Sequence, residues 1–138
     1  MESVVDVKWT GNMVFEASVE DHRLVMDLDE ARGGGNKGPR PKPLMLASLG
    51  GCTGMDVISI LKKMKIVPDF FNMHILGEQT GDHPKKYSRI KIIYEFKGEN
   101  LPLDKLNKAI ELSQDKYCGV SAVYKKSIDI TYEIRMLS

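Results

Sequence analysis

The sequence predicts an α+β fold, with elements in the order βββ-α-ββ-α-β on a single domain, 1–138. Three observations predict it. Short runs alternate apolar and polar residues, as half-buried strands do. One long apolar run, residues 44–61, is too long for a strand and is broken only by glycines. A second stretch, residues 102–117, carries its apolar residues at helical spacing. Strands with two separated helices and tight strand-to-strand links belong to the α+β class.

Composition narrows the function classes. Twenty Lys and Arg against nineteen Asp and Glu leave a formal charge of +1. That gives no basic excess of the kind that nucleic-acid binding requires. Met1-Glu2-Ser3 opens directly onto a strand-like run, so no leader is read there and a cytoplasmic location is expected. Structural disulfides are rare in that compartment, so the two cysteines are either plain core residues or redox residues. Eight methionines fit an adaptable core.

The first three strands are short and closely linked. Residues 4–10 put Val5, Val7 and Trp9 on one face, and Gly11-Asn12 turns the chain. Residues 13–19 put Met13, Phe15, Ala17 and Val19 on one face. After Glu20-Asp21-His22, residues 23–28 alternate Leu24, Met26 and Leu28 inward. Together they predict an antiparallel meander. Residues 29–42 hold four Gly and two Pro and read as a mobile surface loop. The loop lacks the Lys-Ser/Thr pair of a phosphate-binding P-loop. It brings Arg32, Lys37, Arg40 and Lys42 toward the start of the next helix.

That helix, within residues 43–66, is the centre of the chain. Leu44 to Leu61 holds a single charge, Asp56. Its apolar residues cover most of the circumference, which predicts burial nearly all round, by sheet and by a second subunit. Pro43 suits a first helical position, and Lys62, Lys63 and Lys65 complement the dipole at the other end. The length would allow a membrane span. Asp56 at its centre would cost roughly 2.5–3.5 kcal/mol there, and the strands around it read as a soluble sheet, so no membrane partner is expected. Gly50, Gly51 and Gly54 interrupt the helix at roughly 1 kcal/mol each. Close approach of another backbone is the usual reason for such glycines.

Beyond Pro68, residues 70–78 alternate Phe71, Met73 and Ile75. Residues 79–88 form a polar connection, and residues 89–96 alternate Ile90, Ile92, Tyr94 and Phe96. In the second helix Leu103, Leu106, Ile110 and Tyr117 follow the helical period. Gly119 reads as its C-terminal cap. Residues 127–134 close the chain with Ile128, Ile130, Tyr132 and Ile134 on one face.

Cys52 lies between glycines in the middle of the central helix, and Cys118 lies at the end of the second. Most free cysteines are inert core residues. These two differ in expected reactivity. A helix C-terminus disfavours a thiolate at Cys118, and the helix N-terminus is too distant to help Cys52. Asp56, one turn beyond Cys52, opposes a thiolate if it faces the sulfur. Bringing a thiol from about 8.5 to about 6 requires roughly 3.4 kcal/mol. A single cation at about 4 Å supplies about 4 kcal/mol at an effective dielectric of about 20. The nearest basic residue therefore decides function. His22, His74 and His83 show no ligand spacing with the cysteines, so no metal site is expected. His74 alternates with the apolar face of its strand and reads as exposed.

The run PLMLASLGGCTGMDVISIL, followed after some 60 residues by KYCGVSAVYKKSIDITYEI, resembles the OsmC/Ohr family. The likeness covers nearly the whole chain and is nearest to the small OsmC-like subgroup. It implies antiparallel sheets wrapped around a central buried helix in an intertwined homodimer. It also implies hydroperoxide reduction at the subunit interface, with Cys52 peroxidatic and Cys118 resolving. No cofactor is implied beyond an external dithiol reductant, such as a lipoyl group. The alternative is a stress or ligand-binding protein of the same fold, holding a small hydrophobic ligand without turnover. The sequence departs from the peroxidase pattern at two points. A family Glu ten positions ahead of the first cysteine is Lys42 here, and the Gly11–Phe15 hairpin has no Arg. The expected thiolate-activating cations are therefore Lys42, Arg40 and Arg32.

Overall fold

A computed structural model describes residues 1–138. The chain falls into two compact units, Met1–Met45 and Leu46–Ser138. The first carries β1 (Asp6–Gly11), β2 (Val14–Val19) and β3 (His22–Met26), an antiparallel meander in sheet order β1-β2-β3. Trp9 pairs with Phe15 and Phe15 with Met26, while Val7 pairs with Ala17 and Ala17 with Leu24. The alternating set therefore lies on one face, as the sequence predicts. Of its members Ala17 is buried, whereas Val7, Trp9, Phe15 and Leu24 are exposed.

The glycine-rich loop after β3 is tied down rather than loose, for a reason the sequence hides. The buried Asp27 carboxylate accepts hydrogen bonds from the backbone N–H groups of Leu28 (2.7 Å), Gly35 (3.0 Å) and Lys37 (3.1 Å). These donors, the Lys37 amide foremost, hold the Asp27 pKa below its ordinary value. Gly34 and Gly38 permit the fold-back. A Cβ at either would stand 2.1 Å from Leu28 O and 2.2 Å from Val25 O.

The second unit is built on α1 (Leu44–Lys63), which crosses from the last residues of the first unit. Pro43 stands one residue ahead of it, inside a turn closed by the Leu44 N–H to Pro41 O bond. The helix ends well before Pro68, with Lys65 in the left-handed region. Leu49, Thr53, Val57 and Leu61 bury one face, four residues apart as the helical repeat requires. Gly51, Met55 and Ile58 stand exposed on another, so burial within a single chain is one-sided. Length and apolarity alone would let α1 cross a membrane. Its central Thr53 and Asp56 instead make hydrogen bonds to sheet and helix residues of the same unit.

The helix lies on a three-stranded sheet of β4 (Phe70–Gln79), β5 (Tyr87–Lys97) and β6 (Asp129–Met136). Register places Ile75, Ile92 and Tyr132 in one row and Met73, Tyr94 and Ile134 in the next. This is the face the alternation predicts. Ile90, Ile92, Tyr94 and Phe96 are buried on it. Gly50 and Gly54 let α1 settle on Ile75 and Met73, so their close neighbours are side chains of the same chain.

Three expectations need correction. β6 pairs parallel with β5, so this sheet is mixed rather than antiparallel. The chain between β5 and β6 crosses over through helices, and such a connection returns the strand in the same direction. The second helix, α2 (Leu103–Leu112), gives way to a wider π turn over Ser113–Tyr117. A further short helix, α3 (Gly119–Tyr124), then begins at Gly119, which therefore opens a helix instead of capping one.

Candidate active site

The second unit brings Cys52 and Cys118 together. Their sulfurs and an Asp56 carboxylate oxygen all lie within 4.8 Å of one another. Both thiols are free. Cys52 and Asp56 stand one turn apart on α1, so they share a helix face. Cys118 arrives from the junction of α2 and α3. There its N–H donates to Ser113 O (2.7 Å), the i to i+5 bond of the π turn. That turn rotates consecutive residues Ser113 and Gln114 into the interior, and π turns of this kind often mark functional sites.

Cys118 is 3% exposed and Cys52 is half-buried, so Cys52 is the sulfur more open to an incoming molecule. Burial, then the hydrogen bond with the Cys52 thiol, pushes the Cys118 pKa up to about 11. The helix-end argument fails for Cys118, because it also caps α3 and its sulfur accepts the Ser121 N–H (3.3 Å). That donor opposes the rise without cancelling it.

Behind the sulfurs lies a buried polar network that sequence reasoning missed. Ser113 Oγ donates to Asp56 Oδ2 (2.9 Å). Thr53 Oγ1 lies 2.8 Å from Ser113 Oγ and 2.7 Å from Tyr94 OH. Gln114 Nε2 donates to Tyr94 OH (2.9 Å), and Ser121 Oγ donates to Gln114 Oε1 (2.7 Å). Lys125 Nζ donates to the Gln114 carbonyl. Buried hydroxyls and amides of this kind are satisfied only by one another, which fixes the rotamers around the thiols.

The loop cations are placed in the first unit. Arg40 donates to Asn36 Oδ1 (2.5 Å) and to Gly38 O (2.6 Å), and Arg32 Nε lies 4.0 Å from Asp29 Oδ2. Lys42 stands in the turn that leads into α1, where its carbonyl accepts the Met45 N–H. The Cys52–Asp56–Cys118 cluster is composed wholly of second-unit residues. His74 is half-exposed and its Nε2 pairs with Glu95 Oε1 at 2.9 Å.

Two sheets, a long glycine-broken helix and a thiol pair at its centre define a class of small α+β proteins with a dithiol site. The chain belongs to the OsmC-like protein family, whose pattern matches residues 34–133. It is 28% identical to the protein YhfA of Escherichia coli K12 over 133 residues, 96% of each chain. A solved structure of a hypothetical protein from Aquifex aeolicus superposes with a TM-score of 0.84. It is 28% identical, over 100% of this chain and 99% of that one. The organic hydroperoxide resistance protein OhrB of Bacillus subtilis shares the fold at a TM-score of 0.70 and 16% identity, over 98% of each chain.

Proposed function

We propose that this protein reduces organic hydroperoxides or hydrogen peroxide with its two thiols, in the cytoplasm and as part of an oxidative stress response. The observation that carries the reading is the meeting of Cys52 and Cys118 Sγ within 4.8 Å, with the outer sulfur accessible and the inner one buried. The Cys52 thiolate attacks the outer peroxide oxygen and the O–O bond breaks. The alcohol leaves with a proton, and Cys52 becomes a sulfenic acid. The Cys118 sulfur then attacks Cys52, its proton leaves with the departing hydroxide as water, and a disulfide remains. An external dithiol, such as a lipoyl group, returns both cysteines to thiols by exchange. The fold shared with OhrB, a hydroperoxide resistance protein, supports the same substrate class.

We further propose that the chain works as a homodimer. The exposed apolar face of α1 supports this, as does Gly51, whose added Cβ would meet nothing within 4 Å of the same chain.

A second reading, a ligand-binding protein without turnover, has one observation in its favour. A largely apolar cavity of about 280 Å³ opens in the first unit, lined by Val7, Met13, Phe15, Met26, Leu28 and Pro41 together with Asp27. Intact mass under non-reducing conditions, after one equivalent of organic hydroperoxide, separates the two. The peroxidase reading expects wild type to lose two hydrogens. It expects Cys118→Ser to trap one added oxygen and Cys52→Ser to remain unchanged. Unaltered wild-type mass over minutes overturns it.

A further inference from the structure

The site contains one group that peroxide chemistry does not use. Asp56 stands one turn from Cys52 on α1, and Cys118 meets both from the α2–α3 junction. A carboxylate beside two sulfurs gathers three groups that all become or remain anionic on losing a proton. Such a set repels itself once deprotonated, whereas a divalent cation placed among the three is attracted by every member.

We propose that the reduced protein binds one Zn²⁺ through Cys52 Sγ, Cys118 Sγ and the Asp56 carboxylate, and releases it when the thiols are oxidised.

The distances fit with a small closure. Two thiolates about 2.3 Å from a tetrahedral zinc stand about 3.8 Å apart. The three ligand atoms are already within 4.8 Å of one another. The surroundings are those that orient metal ligands. Ser113 Oγ holds one oxygen of Asp56 at 2.9 Å, and the Ser121 N–H holds Cys118 Sγ at 3.3 Å. Metal-binding carboxylates and thiolates are usually fixed by hydrogen bonds of this kind. Two sulfurs with one carboxylate select Zn²⁺ over Mg²⁺ or Ca²⁺, which prefer all-oxygen sites. Three protein ligands leave a fourth position open for water or a small molecule. On binding, each thiol transfers its proton to solvent and two Zn–S bonds form. A two-electron oxidant, such as a peroxide or the azo compound diamide, takes one electron from each thiolate as the S–S bond forms and is itself reduced. The disulfide sulfurs carry no charge, Zn²⁺ loses two of its three ligands, and metal and oxidant compete for the same atoms.

The inference does not depend on peroxide turnover and is tested without peroxide. Zn²⁺ is titrated calorimetrically into reduced wild type, Cys52→Ser and Asp56→Asn. Wild type oxidised with diamide is run beside them, and Co²⁺ serves as a spectroscopic probe. Expected are one Zn²⁺ per reduced wild-type chain and a tetrahedral Co²⁺ spectrum with a thiolate charge-transfer band. Affinity should fall at least about tenfold in Asp56→Asn, the order seen when groups around a metal site are removed, and further in Cys52→Ser. Absence of stoichiometric Zn²⁺ uptake by reduced wild type overturns the inference. So does wild-type affinity in Asp56→Asn or in Cys52→Ser. Should either variant fold poorly, the wild-type titration and the Co²⁺ spectrum still decide, because both use the unaltered chain.

Discussion

Thr53 is the single hydroxyl on which the buried side of the site depends. It is fully buried, and its Oγ1 contacts Tyr94 OH, Ser113 Oγ and Gln114 Nε2. Thr53→Val keeps the shape and takes the acceptor from the buried Tyr94 O–H, while Ser113 keeps Asp56 and Gln114 keeps Tyr94. Buried groups left without a partner cost about 1–3 kcal/mol, so urea denaturation should show a loss in that range. A loss below about 0.5 kcal/mol, the ordinary scatter of surface substitutions, would mean the network relaxes around the gap. At this scale the two cysteines were legible from their motifs, and Asp56 from its i+4 spacing to Cys52. Thr53, Ser113 and Gln114 were not, because polar residues in a helix read as surface unless something turns them inward. For Ser113 and Gln114 that something is the π turn at Ser113–Tyr117, which no periodicity announces, whereas Thr53 sits among Leu49, Val57 and Leu61 on the buried face of α1. Asp27 was hidden for a similar reason. Its partners are backbone amides eight and ten residues on, whose approach depends on the glycines between.

The central helix carries its own contrast between neighbouring glycines. At Gly51 an added Cβ meets open space, while at Gly50 it would stand 3.2 Å from Ile75 Cγ1. Gly51→Ala should therefore stabilise the single chain by up to about 1 kcal/mol through helix propensity. Gly50→Ala gains the same propensity but presses on a β-branched side chain held in a strand, and overpacking of that kind costs about 1–3 kcal/mol. The expected outcome is that Gly50→Ala unfolds at lower urea than Gly51→Ala. The reverse order would show that Gly51, open in the single chain, is closely covered in the assembled protein. Elements and faces were legible here, since alternation names the buried residues of β4, β5 and β6 whatever the strand direction. Direction itself was not read from alternation, which is identical in parallel and antiparallel strands. The helical crossover between β5 and β6 held the information. The short helix α3 escaped because Gly119 is equally at home after one helix and at the start of another.

At the scale of the whole molecule the question is what covers α1. In one chain Met55 is 77% exposed and Ile58 42% exposed, in the middle of the most apolar helix of the protein. With Gly51, Gly54, Phe71 and Met73 they line an open apolar hollow. A two-fold interface is self-complementary, so one apolar patch with a glycine at its centre can cover its own copy. The proposed homodimer then makes a demanding prediction about Met55→Asp. Because the side chain is so exposed in the single chain, the substitution should change the stability of the isolated fold by no more than about 0.5 kcal/mol. Across a two-fold axis the same change places a carboxylate from each copy in an apolar contact, where an unpaired buried charge costs several kcal/mol. Sedimentation equilibrium should therefore give twice the 15.5 kDa chain mass for wild type and the single-chain mass for Met55→Asp. Far-UV circular dichroism should be unchanged between them, which separates dissociation from unfolding. A wild type that sediments as a single chain at micromolar concentration would sink the dimer. A Met55→Asp that stays dimeric would move the interface away from α1.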